Sequence, residues 1–182
     1  RQLTLVRIGT SGGLQPYTPI GTYVAAERSI GFDGVLYFYA DTERIRDVRM
    51  EKELLRQLEW KLDRLQPYVV KADPSLIEQI THDDMLRGMT IAANGFYGPQ
   101  GRQLRLSLAD PQLNQKIQAF DYEGHQITNY EMESSALAGL AAMMGHRAMT
   151  VCCIIAGRVD KNMNTDYASA LDNLIDTVVE RI

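Results

Sequence analysis

The sequence is short of the features that mark several large classes of protein. It has no basic surplus: 19 Lys and Arg stand against 23 Asp and Glu, a formal net charge of -4. That argues against a nucleic-acid partner, which calls for a basic excess or a dense basic patch. No apolar run approaches membrane-spanning length, and no charged-then-apolar stretch opens the chain, so a soluble, cytoplasmic protein without a membrane partner is expected. Cysteine is nearly absent. Cys152 and Cys153 are neighbours inside the apolar run 148–156, and neighbours on a strand point to opposite faces, so both are read as packing residues in a reducing compartment. With His82, His125 and His146 scattered as surface or loop residues, no metal-ligand spacing exists and no metal site is expected. Repeats, low-complexity segments and internal linkers are missing too. A single domain over 1–182 with one sizeable core follows.

What is present alternates between strand and helix signals. Strands are predicted over 3–8, 22–26, 89–93 and 148–156. Helices are predicted over 43–65, where leucines at 54, 55, 58, 62 and 65 form one apolar stripe, and over 131–144, ended by Gly145. Asp73-Pro74 and Asp110-Pro111 read as N-cap plus Pro pairs opening helices over 74–80 and 111–119, and an amphipathic helix closes the chain over 165–182. Such alternation points to an α/β sheet layered with helices. The first strand is apolar on both faces yet begins almost at residue 1 without a methionine, so further residues are expected upstream of Arg1. Residues 1–182 alone are expected to aggregate or be inactive.

Three stretches carry chemistry. Arg7-Ile8-Gly9-Thr10-Ser11-Gly12-Gly13 follows the first strand; as a glycine-rich turn it can aim backbone N–H groups, a guanidinium and two hydroxyls at an anion, or it can merely turn. Asn94-Gly95-Phe96-Tyr97-Gly98-Pro99-Gln100-Gly101-Arg102 offers aromatic faces beside an amide and a guanidinium, suited to stacking a flat ring and bonding its edge, or is an ordinary surface loop. Asn129-Tyr130-Glu131-Met132-Glu133-Ser134-Ser135 sets two carboxylates directly before a small-residue helix. Ionised carboxylates only accept hydrogen bonds and a diol supplies donors. Both can reach one ligand only if the helix starts around 131–133; alternatively they are an acidic pair favoured by the helix dipole.

Together these motifs resemble the nucleoside phosphorylase family, within it the uridine phosphorylase branch. The resemblance implies a central mixed β-sheet curled toward a distorted barrel with helices outside it. It implies a pentosyltransferase of pyrimidine salvage, catalysing reversible phosphorolysis of uridine to uracil and ribose 1-phosphate, with phosphate as co-substrate and no other cofactor. By it, Arg7 and Thr10 hold the phosphate, and Ser11 and Gly12 approach the nucleoside. Phe96 stacks on uracil while Gln100 and Arg102 read its edge; Glu133 binds ribose hydroxyls, Met132 packs on the sugar, and Glu131 contributes less. Arg158, after Ile155-Ala156-Gly157, helps close the site, with Arg7, Arg102 and Glu133 carrying the catalysis. Purine-specific relatives have an aspartate where this chain has Ala156 and Gly157, and Asp160 is displaced from that place.

The resemblance also implies homo-oligomers, dimers assembled into a hexamer, and further phosphate-binding arginines, a Gly-Asp-Pro motif and a histidine from a neighbouring subunit, none of which can be found here. A purine nucleoside phosphorylase, a nucleosidase of the same fold and a non-catalytic nucleoside-binding protein are the alternatives. No role is evident for the segment 41–84.

Overall fold

A computed structural model describes residues 1–157 and 163–182. Seven strands, β1 (Thr4–Gly13), β2 (Tyr23–Gly31), β3 (Tyr68–Lys71), β4 (Leu86–Ala92), β5 (Asp121–Tyr122), β6 (His125–Glu131) and β7 (Arg147–Gly157), form one mixed sheet. Five of them close on themselves in the order β1-β7-β2-β4-β6, with β6 pairing back to β1. The central sheet is thus curled into a distorted barrel. β3 extends β2 and β5 extends β6 beyond the ring.

The closure is made by two residue pairs only, Gly12 with Tyr130 and Gly13 with Asn129, antiparallel. The earlier residues of β1 therefore overhang the end of β6. Their other edge pairs in parallel with β7, from Thr4–Arg147 onward. Glycine suits the closure, because a Cβ on Gly13 would lie 2.3 Å from the Thr18 carbonyl oxygen. The expected glycine-rich turn over 9–13 is instead the continuation of β1. Neither Gly9 nor Gly13 has a positive φ; the glycines permit close approach rather than a change of direction. The start of β1 is also more open than a central strand, exposed at Thr4 and half-buried from Leu5 to Thr10.

Helices α1 (Val48–Gln57), α2 (Pro74–Ile80), α3 (Leu113–Ala119), α4 (Ser134–Met143) and α5 (Ala168–Arg181) flank the sheet. α1 buries Met50 and Leu54 with Ile30, Phe32, Ile91, Ile127 and Tyr130 in one apolar cluster, and α2 and α5 bury Leu76, Ile80, Leu174 and Val178 against Val151 and Cys153 in another. The predicted helix over 43–65 survives only as α1. Asp47 caps its start, accepting from the Met50 N–H at 3.0 Å. Glu59 then takes a left-handed φ of 45°, and the Trp60 indole, packed on Phe32, donates to the Leu62 and Leu65 carbonyls. The leucine stripe is kept by a packed loop instead of a helix, and the segment 41–84 supplies core cover and the edge strand β3.

Asp73 caps α2 as the Asp-Pro pair predicts, but Asp110 closes a turn and α3 begins two residues later than expected. β3, β5 and β6 are not foreseen by the sequence reading, and α4 begins at Ser134, not at Glu131. No helix among the described residues is long and apolar enough to cross a membrane.

Candidate active site

Arg7 is the centre of the polar cluster. Along β1 it shares a face with Gly9 and Ser11, and the overhang past β6 carries it to the segment where the two carboxylates lie. Its guanidinium pairs with Glu131 at 3.2 Å and with Glu133, and donates to Cys152 Sγ at 3.3 Å. Gly9 gives it room: a Cβ there would stand 3.1 Å from both terminal nitrogens of Arg7. Burial works against the Arg7 charge, but Cys152, Glu131 and Glu133 outweigh it and hold the guanidinium above its ordinary pKa. Burial pushes the Cys152 thiol up to about 12, against the pull of Arg7.

The two glutamates differ sharply. Glu131, the last residue of β6, has a side chain 1% exposed, and it accepts from the Glu133 and Ser134 N–H groups at 2.9–3.1 Å and from the Ser134 hydroxyl at 2.6 Å. The capping role considered for the pair falls to Glu131, which satisfies donors at the start of α4. Glu133 has a side chain 54% exposed and meets Arg7 alone among these partners. Met132, between them, stands on the exposed rim.

The residues flanking that motif are structural supports. The buried Asn129 amide donates to Ser11 Oγ at 3.0 Å and accepts from the Thr90 hydroxyl at 2.8 Å, fixing Ser11 on the face of Arg7. Gly12 sits at the barrel closure. Thr10 is half-buried and paired with Cys153, so by the period of two its side chain leaves β1 on the face opposite Arg7. Strand geometry therefore brings together Arg7, Glu131 and Glu133 and sets Ser11 on the same face of β1, but not the Thr10 side chain. Arg158 lies outside the described residues, as does Asp160.

The aromatic loop begins where β4 ends. Ala92 pairs with Glu131, and the Ala93 N–H donates to the Glu131 carbonyl at 2.9 Å, which sets the loop beside the carboxylate motif. Within it the Arg102 guanidinium covers one face of Phe96 at 3.8 Å from the ring centre, and Tyr97 meets the same ring edge-on at 5.3 Å. Arg102 also donates to the Phe96 carbonyl and, at 2.6 Å, to Gln100 Oε1. Gln100 is buried, whereas Phe96 is about half exposed. Burial lowers the Arg102 pKa, so the charge is poorly solvated and suited to an anionic partner.

A cavity of about 1000 Å³ lies beside this loop and not at the Arg7 cluster; Phe32, Leu62, Leu65, Tyr97, Arg102 and Leu113 are among its walls. No group of three or more His, Cys, Asp or Glu side chains able to hold a metal occurs among the described residues. Sequence reasoning missed three contributors: Gly9 as clearance for Arg7, Cys152 as the floor beneath it, and Asn129 as the holder of Ser11. The spacing of Arg7 and Gly9 by two on a strand is the signal that reveals the first.

Residues 3–180 match the family model described as the phosphorylase superfamily. Among curated proteins, the chain is 30% identical over 162 residues to a uridine phosphorylase of Thermococcus kodakarensis, covering 86% of this chain and 49% of that protein. It is 24% identical over 160 residues to one from Haemophilus influenzae, covering 88% and 56%. The chain thus spans about half the length of the curated relatives it matches. Among solved structures, a Trypanosoma brucei nucleoside phosphorylase described as showing uridine phosphorylase activity superposes with a TM-score of 0.83 at 25% identity, covering 98% of this chain and 62% of that one.

Proposed function

The chain belongs to the phosphorylase superfamily, and on that premise we propose that the protein catalyses reversible phosphorolysis of uridine to uracil and ribose 1-phosphate. The observation that carries this reading is one juxtaposition. The Phe96, Gln100 and Arg102 loop follows β4, the Glu131–Glu133 motif follows β6, and Ala92–Glu131 pairing joins the two strand ends. A flat base held by the loop thereby has its sugar directed at Glu133. The uridine phosphorylases among the curated relatives support the pyrimidine choice.

In this reading Arg7 is the principal phosphate ligand, and Thr10, whose side chain leaves β1 on the other face, contributes only through its backbone. Phosphate draws Arg7 from Glu133, which frees that carboxylate to accept from the ribose hydroxyls while Met132 lies against the sugar. Glu131 stays bound to the start of α4 and keeps Arg7 in place. Ser11 and Gly12 border the nucleoside, and Arg158 helps close it in. A phosphate oxygen then bonds to C1′ as the C1′–N1 bond breaks, the electron pair leaving with uracil. Bound phosphate stabilises the oxocarbenium-like sugar, and Gln100 and Arg102 stabilise the charge gathering on the base. Phosphate is the second substrate, and no organic cofactor or metal takes part. A homo-oligomer, dimer or hexamer, working in the cytoplasm is part of the same proposal.

The test is a product assay of the protein with uridine and with inosine, each with and without phosphate. Uracil and ribose 1-phosphate formed only when phosphate is present is the expected result. Hypoxanthine release, or cleavage without phosphate, would replace this reading with a purine phosphorylase or a nucleosidase.

A further inference from the structure

We infer that Asn114 is a positioning residue for the base-reading loop, an inference that rests on the function proposed above. Asn114 lies in the first turn of α3, outside every motif that points to nucleoside chemistry. Its amide has two ends and both are used. Nδ2 donates to the Gln100 carbonyl at 3.1 Å, and Oδ1 accepts from the Tyr130 hydroxyl at 3.0 Å. Tyr130 immediately precedes Glu131 in β6 and pairs with Ile91 of β4. A single side chain thus ties the residue that reads the base to the strand that presents the sugar-binding carboxylate.

Two features make the tie consequential. The bonds inside the loop, from the Gln100 and Arg102 N–H groups to the Tyr97 carbonyl and from the Gly101 N–H to the Gly98 carbonyl, close its own turns without holding it to the barrel. One side of the loop is not backed by packed core, since Tyr97, Pro99, Gly101 and Arg102 line the cavity of about 1000 Å³. Asn114 meets the loop at Gly101, where φ is +69° and an added Cβ would fall 2.2 Å from Nδ2. Glycine at 101 therefore serves both the left-handed backbone and the approach of the amide. The chain Tyr130–Asn114–Gln100 sets the distance between base and ribose contacts, and errors of about 1 Å in such geometry are enough to slow a reaction strongly.

Asn114→Ala in the protein should raise KM for uridine and lower kcat/KM by about 3- to 10-fold, the loss expected of one or two neutral hydrogen bonds, with KM for phosphate unchanged. Tyr130→Phe should act in the same direction and less strongly. The double variant should lose less than the sum of the two single losses, because both substitutions break the same Tyr130–Asn114 bond. Hydrogen–deuterium exchange of the ligand-free protein should accelerate in 95–103 but not in 4–13. A merely structural role would lower the melting temperature and the active fraction without moving KM. Unchanged KM with unchanged exchange, or additive losses in the double variant, would overturn the inference. Should the wild type not cleave uridine, the proposed function fails, and the exchange of 95–103 alone decides the role of Asn114.

Discussion

The two glutamates, two residues apart, should separate stability from activity. In Glu133→Gln the charge lost is on a half-exposed side chain whose partner, Arg7, keeps Glu131 at 3.2 Å. A solvated ion pair of that kind contributes about 0–1 kcal/mol, so the melting temperature should fall by no more than about 4 °C. The ribose contact proposed for it is a hydrogen bond to a charged acceptor, worth about 1.5–3 kcal/mol, so kcat/KM for uridine should drop about 12- to 150-fold. Glu131→Gln reverses the balance. Both oxygens of that buried carboxylate accept from α4 donors, and an amide nitrogen in place of one of them would face an N–H. The ion pair with half-buried Arg7 is lost as well, and the combined cost should be about 2–4 kcal/mol, or a melting temperature lower by about 4–16 °C. Differential scanning calorimetry beside steady-state assays of both variants measures the split. A Glu133→Gln protein that melts far below wild type but turns over normally, or a Glu131→Gln protein as stable as wild type, would refute the division of roles.

Gly9→Val should weaken phosphate use before it weakens the fold: the added carbons press on a guanidinium already 3.1 Å from an ideal Cβ, so KM for phosphate should rise while the melting curve changes little. Arg102→Ala removes both the cover of Phe96 and the donor proposed for the base, and should cost about 2–4 kcal/mol in kcat/KM for uridine, as loss of an oxyanion donor does; wild-type efficiency in this variant would remove the loop from the site. Cys152, pushed up to about 12 by burial, should resist iodoacetamide at pH 8 in the folded protein and react after denaturation, which mass spectrometry of the 147–157 strand can follow.

Much of the frame was legible because its causes are local. Asp73-Pro74 opens α2, Gly145 ends α4 with φ +73°, and the apolar runs at 89–93 and 148–156 became β4 and β7, each set by residues within a few positions of one another. The motifs naming the family were equally readable, since residue identity and spacing suffice for that. Where packing competed with pattern, the sequence misled. The stripe from Leu54 to Leu65 has helical spacing, yet Trp60 turns onto Phe32 and the helix stops at Gln57. β6 went unread because its first residues are polar and exposed and only its last five are buried.

The sequence by itself determined the family, and through that likeness named Arg7, Gln100, Arg102 and Glu133 as candidates for one site. That Arg7 meets Glu133 was decided by tertiary structure alone. Arg7 reaches Glu133 across 126 residues because β1 pairs with β6 only through Gly12 and Gly13 and overhangs it. That register, and with it the split between a capping Glu131 and an available Glu133, depends on closing a ring of five strands drawn from the whole chain, which no local window contains.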